Sequence, residues 1–273
     1  ALGPLRIEIE GQPVRTSRHK ALALLVYLAL HTGKQPRETL SGLLWPEYEQ
    51  EKASAYLRRT LWEIHRILGK GWLDANREAI GINPDASLSL DVAEFRSHLT
   101  AIQRHDHPNS VPCPECVAHL HTTALLYRGD FLDGFNLRDS AVFDEWQLLQ
   151  REALRGEYAV ALQKLANLLV QAGAFSEAIS FAQRWLSLDT FNEEAHRLLM
   201  KAYARSGQRH QAVRQYQECL RILQAELGVT PDAATTTLYE AVIAGQLGPT
   251  GAVSLQRPEN RSQEASATDT VST

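Results

Sequence analysis

The sequence predicts a mostly α-helical protein of two domains, with a small α+β domain first and an all-α helical repeat domain after it. Apolar and charged residues alternate near the start of the chain, as they do in strands, whereas helical spacing prevails from about residue 91 onward. At an offset of 34 residues Gly173 falls on Gly207 and Ala178 on Ala212, which indicates a repeat. A chain of 273 residues, 44% of them hydrophobic, is long enough to form both domains.

The first domain is predicted to span residues 1–90 and to open with a β-hairpin and a buried helix. Residues 5–14 alternate between apolar and polar side chains and contain the turn candidate Gly11-Gln12. Ser17 is a suitable N-cap for a helix over residues 18–31. This helix is apolar on nearly every side and therefore belongs in the centre of the domain.

Two more helices and a second hairpin are predicted to complete this domain. Pro36 suits the first position of a helix that ends at Trp45. Apolar residues at helical spacing predict a third helix over residues 51–68. Residues 72–82 contain two short apolar runs around a polar turn at 76–78, which is typical of a hairpin.

The second domain is predicted to span residues 91–248 and to consist of packed helix pairs. The offset of 34 residues is the period of tetratricopeptide repeats, in which a small residue and a glycine form the turn. Earlier helices around residues 117–127 and 140–154 are expected to stack on the repeats, since one repeat cannot bury its own faces. Residues 249–273 are mostly polar and are predicted to form a disordered tail or linker.

The third helix of the first domain carries a concentrated positive charge. Residues 51–70 have a net charge of +3, whereas residues 1–98 contain 13 Lys and Arg against 12 Asp and Glu. With its leucines turned inward, a helical wheel places these residues on the outer face or its flank: Lys52, Ala55, Arg58, Arg59, Trp62, Glu63 and Arg66. A helix fits the major groove of DNA, where arginine pairs with guanine and lysine with phosphate. Arg77, at the tip of the second hairpin, is placed to contact a phosphate or the minor groove.

The same charges fit a second hypothesis, in which the protein is an interaction scaffold that does not read DNA. Most charge runs are solvated helix faces, an exposed Trp62 suggests contact with a protein, and Glu63 repels phosphate. A groove of the helical domain, lined by Tyr203 and Tyr216, would hold a partner under either hypothesis. DNA affinity that falls steeply with salt distinguishes the two, because phosphate binding releases counterions.

Cysteine and histidine are concentrated in residues 105–121. The four residues that form the candidate zinc ligand set are His105, His107, Cys113 and Cys116. Cys-Pro-Glu-Cys has a common ligand spacing, but a second His-x-His pair follows, so the choice of histidines stays open. The alternatives are a polar loop with unligated thiols and a redox role. The redox role ranks below zinc, since such a pair normally opens a helix beside a sheet and the surroundings here look all-helical.

The sequence contains no motif that is typical of an enzyme, a nucleotide-binding protein, or a secreted or membrane protein. The sequence has no Gly-x-Ser-x-Gly, no His-Glu-x-x-His and no phosphate-binding Gly-x-x-x-x-Gly-Lys-Ser/Thr, so we expect no enzyme. Three cysteines do not form a disulfide framework, and no secretory signal or membrane span is recognisable. The expected compartment is the cytoplasm.

Two stretches of the chain resemble known families. Residues 1 to about 90 resemble the winged helix-turn-helix of the OmpR and PhoB class, with Leu43-Leu44-Trp45 as the characteristic tripeptide. From Val92 to about residue 248 the chain resembles the bacterial transcriptional activator domain of SARP-type regulators. The motifs that carry this second resemblance are Tyr127-Arg128-Gly129-Asp130-Phe131-Leu132, Phe143-Asp144-Glu145-Trp146, Glu194-Ala195-His196-Arg197-Leu198-Leu199-Met200 and Glu226-Leu227-Gly228-Val229-Thr230-Pro231.

The resemblance implies sequence-specific binding to promoter DNA and, usually, activation of transcription. The tetratricopeptide-like domain would contact the transcription machinery, another protein or a second copy in a homo-oligomer. The family's DNA contacts lie on the exposed side of the third helix, although Trp62 and Glu63 depart from the small polar or basic residues usual there. Together with the charged outer face, this gives the predicted DNA-binding set Lys52, Tyr56, Arg58, Arg59, Glu63, Arg66 and Arg77. Such regulators often continue into a nucleotide-binding ATPase, and the polar tail resembles a linker to one.

Overall fold

The computed structural model describes residues 1–14, 16–105 and 113–248, and helices dominate it. The helices are α1 (His19–Leu30), α2 (Arg37–Leu44), α3 (Gln50–Leu68), α4 (Asp91–Arg104), α5 (Pro114–Leu126), α6 (Ala141–Gln171), α7 (Phe175–Leu188), α8 (Glu193–Arg205), α9 (Arg209–Leu227) and α10 (Ala233–Ile243). The strands are β1 (Gly3–Pro4), β2 (Glu8–Ile9), β3 (Gln12–Pro13), β4 (Gln35–Pro36), β5 (Leu73–Ala75), β6 (Ala79–Ile82) and β7 (Phe131–Asp133). The predicted fold class is confirmed: the chain is mostly α, with a small α+β winged helix-turn-helix part followed by a helical part. The predicted tail lies outside the described residues.

The first part contains both predicted hairpins. β2 and β3 pair around Glu10 and Gly11, which both have positive φ, so the turn begins one residue earlier than predicted. The predicted second hairpin is β5 with β6, and β4 adds a third strand to it in the order β4-β6-β5.

Two helices of this part begin differently from what their local sequence predicts. Arg18, and not Ser17, is the N-cap of α1, and no side chain caps this helix. Pro36 was expected at the first helical position, but it pairs with Ala79 as part of β4, so α2 starts at Arg37. At Pro36 a long-range strand pairing thus overrides a local preference.

The second part consists of antiparallel helix pairs. α6 runs on to Gln171, well beyond the predicted end near residue 154, because Gly156 alone does not stop a helix whose apolar face stays buried. The turns after α6 and α8 contain Gly173 and Gly207, with φ of 78° and 80°. Ala178 and Ala212, which follow these glycines by five positions, have no exposed surface. The two halves of the predicted repeat therefore occupy equivalent places.

We expect Ala178→Leu to lower the free energy of unfolding by about 1–3 kcal/mol, because extra methylene groups in a filled interface force neighbouring side chains out of their rotamers. Urea denaturation followed by circular dichroism measures the change. Ala225→Leu on the exposed side of α9 is the matched control. An equal effect of both substitutions would contradict close packing at the buried alanine.

One hydrophobic core continues from the first part into the second. β1 runs parallel to β7, with Gly3 opposite Phe131. The indole ring of Trp146 in α6 lies 4.9 Å from the Tyr27 ring and 5.9 Å from the Phe131 ring, measured between ring centres. The hydroxyl of Ser140 donates to the carbonyl of Leu43 at the end of α2. The helix-turn-helix is thus fixed on the beginning of α6.

Among the residues described, no helix is long and apolar enough to cross a membrane.

Candidate nucleic-acid interface

Helix α3 is amphipathic, and its apolar side faces the core of the first part. Leu57, Leu61 and Ile64 are buried, and Leu68 is half-buried, as the helical wheel predicts. Gly69 ends the helix with φ of 85°. The burial of this stripe directs the opposite side of α3 to solvent.

The solvent side of α3 carries most of the predicted basic residues. Lys52, Arg58, Arg59 and Arg66 are exposed. Trp62 stands among them with 63% of its surface exposed, and the Arg66 guanidinium lies 5.6 Å from the centre of a Trp62 ring. α3 therefore presents a basic face with an aromatic residue within it.

Arg58 and Arg77 line one open groove between α3 and the β5–β6 turn. The groove has a volume of about 800 Å³, and Arg37 at the start of α2 also lines it. The acidic side chains of Glu38 and Glu78 also line this groove, and their negative charge offsets part of the positive charge of the arginines. The structure thus brings the helix and the hairpin tip together, as predicted.

The hairpin tip that carries Arg77 is held by side-chain hydrogen bonds. The Asn76 side-chain oxygen accepts the backbone N–H groups of Glu78 at 2.9 Å and Ala79 at 2.7 Å. Arg37 Nε donates to the Asn76 carbonyl at 2.8 Å. Arg37 is not predicted from the sequence, since nothing in the local pattern of α2 places its side chain on the distant hairpin.

Two predicted contact residues are not fully exposed. Glu63 was expected on the outer face, but only 10% of its side chain is exposed, and its carboxylate lies 3.5 Å from Arg18 Nε and 3.8 Å from Arg59 Nε. The expected placement of Glu63 on the outer face was wrong, because Arg18 in the segment before α1 covers this side of α3. Tyr56 is half-buried, and its ring centre lies 6.1 Å from that of Trp45 and 5.1 Å from that of Tyr48. Tyr56 therefore belongs to an aromatic cluster that supports α3.

A second cluster of candidate ligands lies where α4 ends and α5 begins. Ligand atoms of His105, Cys113 and Cys116 all lie within 4.8 Å of one another. The structure thus brings together three of the four predicted zinc ligands, whereas His107 lies outside the described residues. Cys113 is the N-cap of α5, so the pair opens a helix, and this helix packs against α4 and α6 in the all-helical surroundings that the sequence predicts.

The two thiols of this cluster have opposite pKa shifts. Hydrogen bonding to the Cys116 backbone, and then to His105 and the Glu115 backbone, lowers the pKa of the Cys113 thiol to about 6 against the opposing effect of desolvation. Burial, together with the neighbouring Cys113, raises the pKa of the Cys116 thiol. The half-buried Cys113 is thus the thiol that is more readily ionised.

Known proteins resemble the chain over almost its whole length. It is 26% identical to "Regulatory protein AfsR" of Streptomyces coelicolor over 89% of the chain and 24% of that protein. It is 23% identical to "Transcriptional regulatory protein EmbR" of Mycobacterium tuberculosis over 90% of the chain and 63% of that protein. The chain therefore spans about a quarter of AfsR and just under two thirds of EmbR.

A solved structure and a family profile agree with this result. A structure of Mycobacterium tuberculosis EmbR in complex with a low-affinity phosphopeptide superimposes with a TM-score of 0.71 at 21% identity, covering 92% of this chain and 65% of that one. This likeness shows the fold. The profile of the bacterial transcriptional activator domain matches residues 90–243, more than half of the chain. The chain belongs to the family of the bacterial transcriptional activator domain, and its resemblance to SARP-type regulators is confirmed.

Proposed function

We propose that the chain is the DNA-binding part of a bacterial transcription regulator and that it binds promoter DNA through α3 and the β5–β6 turn. The observation that carries this proposal is the groove that Arg58 and Arg77 share, beside the exposed basic face of α3. The relatives AfsR and EmbR, which are named as regulators, support it. An activating role follows from the family profile.

The residues of this surface have different roles in the proposed complex. α3 lies in the major groove, where Arg58 and Arg59 donate to guanine edges. Lys52 and Arg66 near the two ends of α3, and Arg77 at the hairpin tip, contact phosphates and fix the register of the protein on the duplex. The chain as a whole has a net charge of −4, so its overall charge does not attract DNA. Affinity therefore depends on this local face.

Selection of bound duplexes from a random DNA pool tests the proposal. We expect one sequence motif to be enriched, and we expect the affinity for that motif to fall with salt concentration. Each phosphate contact contributes about −0.9 to the slope of log K against log salt concentration, so Arg77→Ala should make the slope less steep by about that amount. Arg214→Ala, which removes an exposed charge from α9 in the helical part, is the control.

A scaffold that binds only proteins is the second candidate function, and the exposed Trp62 favours it. A folded protein that enriches no motif, or whose DNA affinity does not depend on salt, would support the scaffold and contradict DNA recognition. Under both functions the tetratricopeptide-like helices α6 to α10 bind the transcription machinery, another protein or a second copy of the chain. We propose that the chain acts in the cytoplasm, where promoter DNA lies, and that it catalyses no reaction.

We also propose that His105, Cys113 and Cys116 bind a structural zinc ion. Thiolate and imidazole are the ligands that Zn²⁺ prefers, and three such groups converge here from two helices. A bound ion would tie the end of α4 to the start of α5. The proposed zinc site lies outside the proposed DNA-binding surface, and none of its ligands belongs to that surface.

A further inference from the structure

We infer that Glu115 is the positioning carboxylate of this metal centre, which orients the His105 imidazole so that its other nitrogen binds the ion. This inference rests on the zinc site proposed above and identifies the residue that fixes the orientation of the histidine ring in that site. A carboxylate that accepts the free N–H of a metal-bound imidazole sets both the ring orientation and the proton position.

The two ring nitrogens of His105 face different groups. Nδ1 lies 3.6 Å from the Cys113 sulfur, on the side of the thiols. Nε2 lies 3.1 Å from a carboxylate oxygen of Glu115. With the ion bound at Nδ1, the proton must reside on Nε2, which then donates to Glu115. The ring is therefore already oriented for a metal on one side and a carboxylate on the other.

The start of α5 explains why these groups meet. Cys113 is the N-cap, Pro114 occupies the first helical position with its backbone fixed, and Cys116 follows as the third helical residue. The helix dipole favours anionic sulfur at this end. His105 comes from the end of α4, so the donors are supplied by two helices that pack against each other.

The coordination chemistry selects the class of metal. Two sulfurs and one imidazole nitrogen suit Zn²⁺ or Co²⁺ and disfavour Mg²⁺ and Ca²⁺, which prefer oxygen ligands. Among the described residues, three protein donors fill three of the four positions of a tetrahedron. Because binding joins α4 to α5, the free energy of metal binding adds to the stability of this helix pair.

Other histidines of α4 and α5 allow a comparison with His105 and supply a control. His98 and His119 contact each other through their Nδ1 atoms at 2.7 Å. His121 Nε2 lies 3.4 Å from a carboxylate oxygen of Glu177, a histidine–glutamate pair like that of His105 and Glu115. Within the described part of the chain, these histidines do not belong to the cluster of candidate metal ligands that contains the two cysteines. Glu177 is therefore the matched control for Glu115.

The test is a titration of the whole, metal-free chain with Co²⁺, followed by competition with Zn²⁺. We expect one equivalent of Co²⁺ to produce thiolate-to-cobalt charge-transfer absorption together with the intense visible bands of tetrahedral Co²⁺. Cys113→Ser should weaken the charge-transfer absorption, since it removes one of the two sulfur ligands. Glu115→Gln should keep the spectrum and weaken metal affinity about 10- to 100-fold, the usual effect of losing an outer carboxylate. Glu177→Gln should leave both unchanged.

The outcomes separate the two claims. If no stoichiometric metal binds and no thiolate band appears, the zinc site and the role of Glu115 are both overturned. If the wild-type chain binds Co²⁺ through sulfur and Glu115→Gln binds it equally well, the site stands and the positioning role is wrong. Glu115 has 75% of its side chain exposed, so its substitution leaves folding intact even if a cysteine variant does not fold. DNA binding does not enter this measurement.

Discussion

Replacing Arg58 and Arg59 together by alanine is expected to abolish the enrichment of a DNA motif and to leave only weak, sequence-independent binding. Each arginine that pairs with a base contributes about 1–3 kcal/mol of discrimination, so each loss should weaken binding of the selected duplex roughly 5- to 150-fold. Fluorescence anisotropy with the selected duplex and a scrambled duplex measures both effects.

The two single substitutions should differ, because the two side chains have different surroundings. Arg58 lines the groove with Arg77, whereas the Arg59 Nε lies 3.8 Å from the Glu63 carboxylate. Part of the Arg59 charge is therefore already balanced within the protein. We expect Arg58→Ala to cause the larger loss of specificity.

A matched loss of charge elsewhere separates base contact from bulk electrostatics. Lys201→Ala/Arg214→Ala removes two exposed charges from the helical part and changes the net charge equally. This control should retain the motif and nearly all the affinity. If the control loses as much affinity as the α3 variant, or if the α3 variant retains the motif, then α3 does not read the bases.

The sequence predicts α3 and the following hairpin well because their signals are local. The buried stripe of Leu57, Leu61 and Ile64 follows directly from helical spacing, and Gly69 ends the helix where the pattern ends. The fate of Glu63 could not be predicted in the same way. A helical wheel shows which residues share a face, but only the packed structure shows that the segment carrying Arg18 covers part of that face.

Contacts between the two parts of the chain are also invisible in the local pattern. Gly3 is more than a hundred residues away from its strand partner Phe131, and neither segment has the length or alternation of a typical strand. Pro36 reads as a helix start, yet it pairs in a sheet. In the metal cluster, the sequence identifies the cysteines by their spacing, whereas the role of Glu115 depends on the orientation of the His105 ring.

Phe131→Ala is expected to lower the free energy of unfolding by about 3–5 kcal/mol, because a fully buried aromatic ring is replaced by a cavity. Phe131 lies in β7 opposite Gly3 of β1, and its ring contacts Trp146 of α6. The cavity therefore opens between the helix-turn-helix and the helical part. Since one core joins them, we expect both parts to lose stability together. Urea denaturation measures the total loss.

Hydrogen exchange followed by mass spectrometry shows which helices of Phe131→Ala lose stability. In Phe131→Ala, amide groups of α1 and of α6 should lose protection to a similar degree, because opening of the joint exposes both helices. Leu125→Ala is the control, since Leu125 is 73% exposed and its loss should change stability by no more than about 0.5 kcal/mol. Protection that falls in α6 while α1 stays at its wild-type value would mean that the winged part is stable by itself. The joint would then only orient α3 and would not hold its fold.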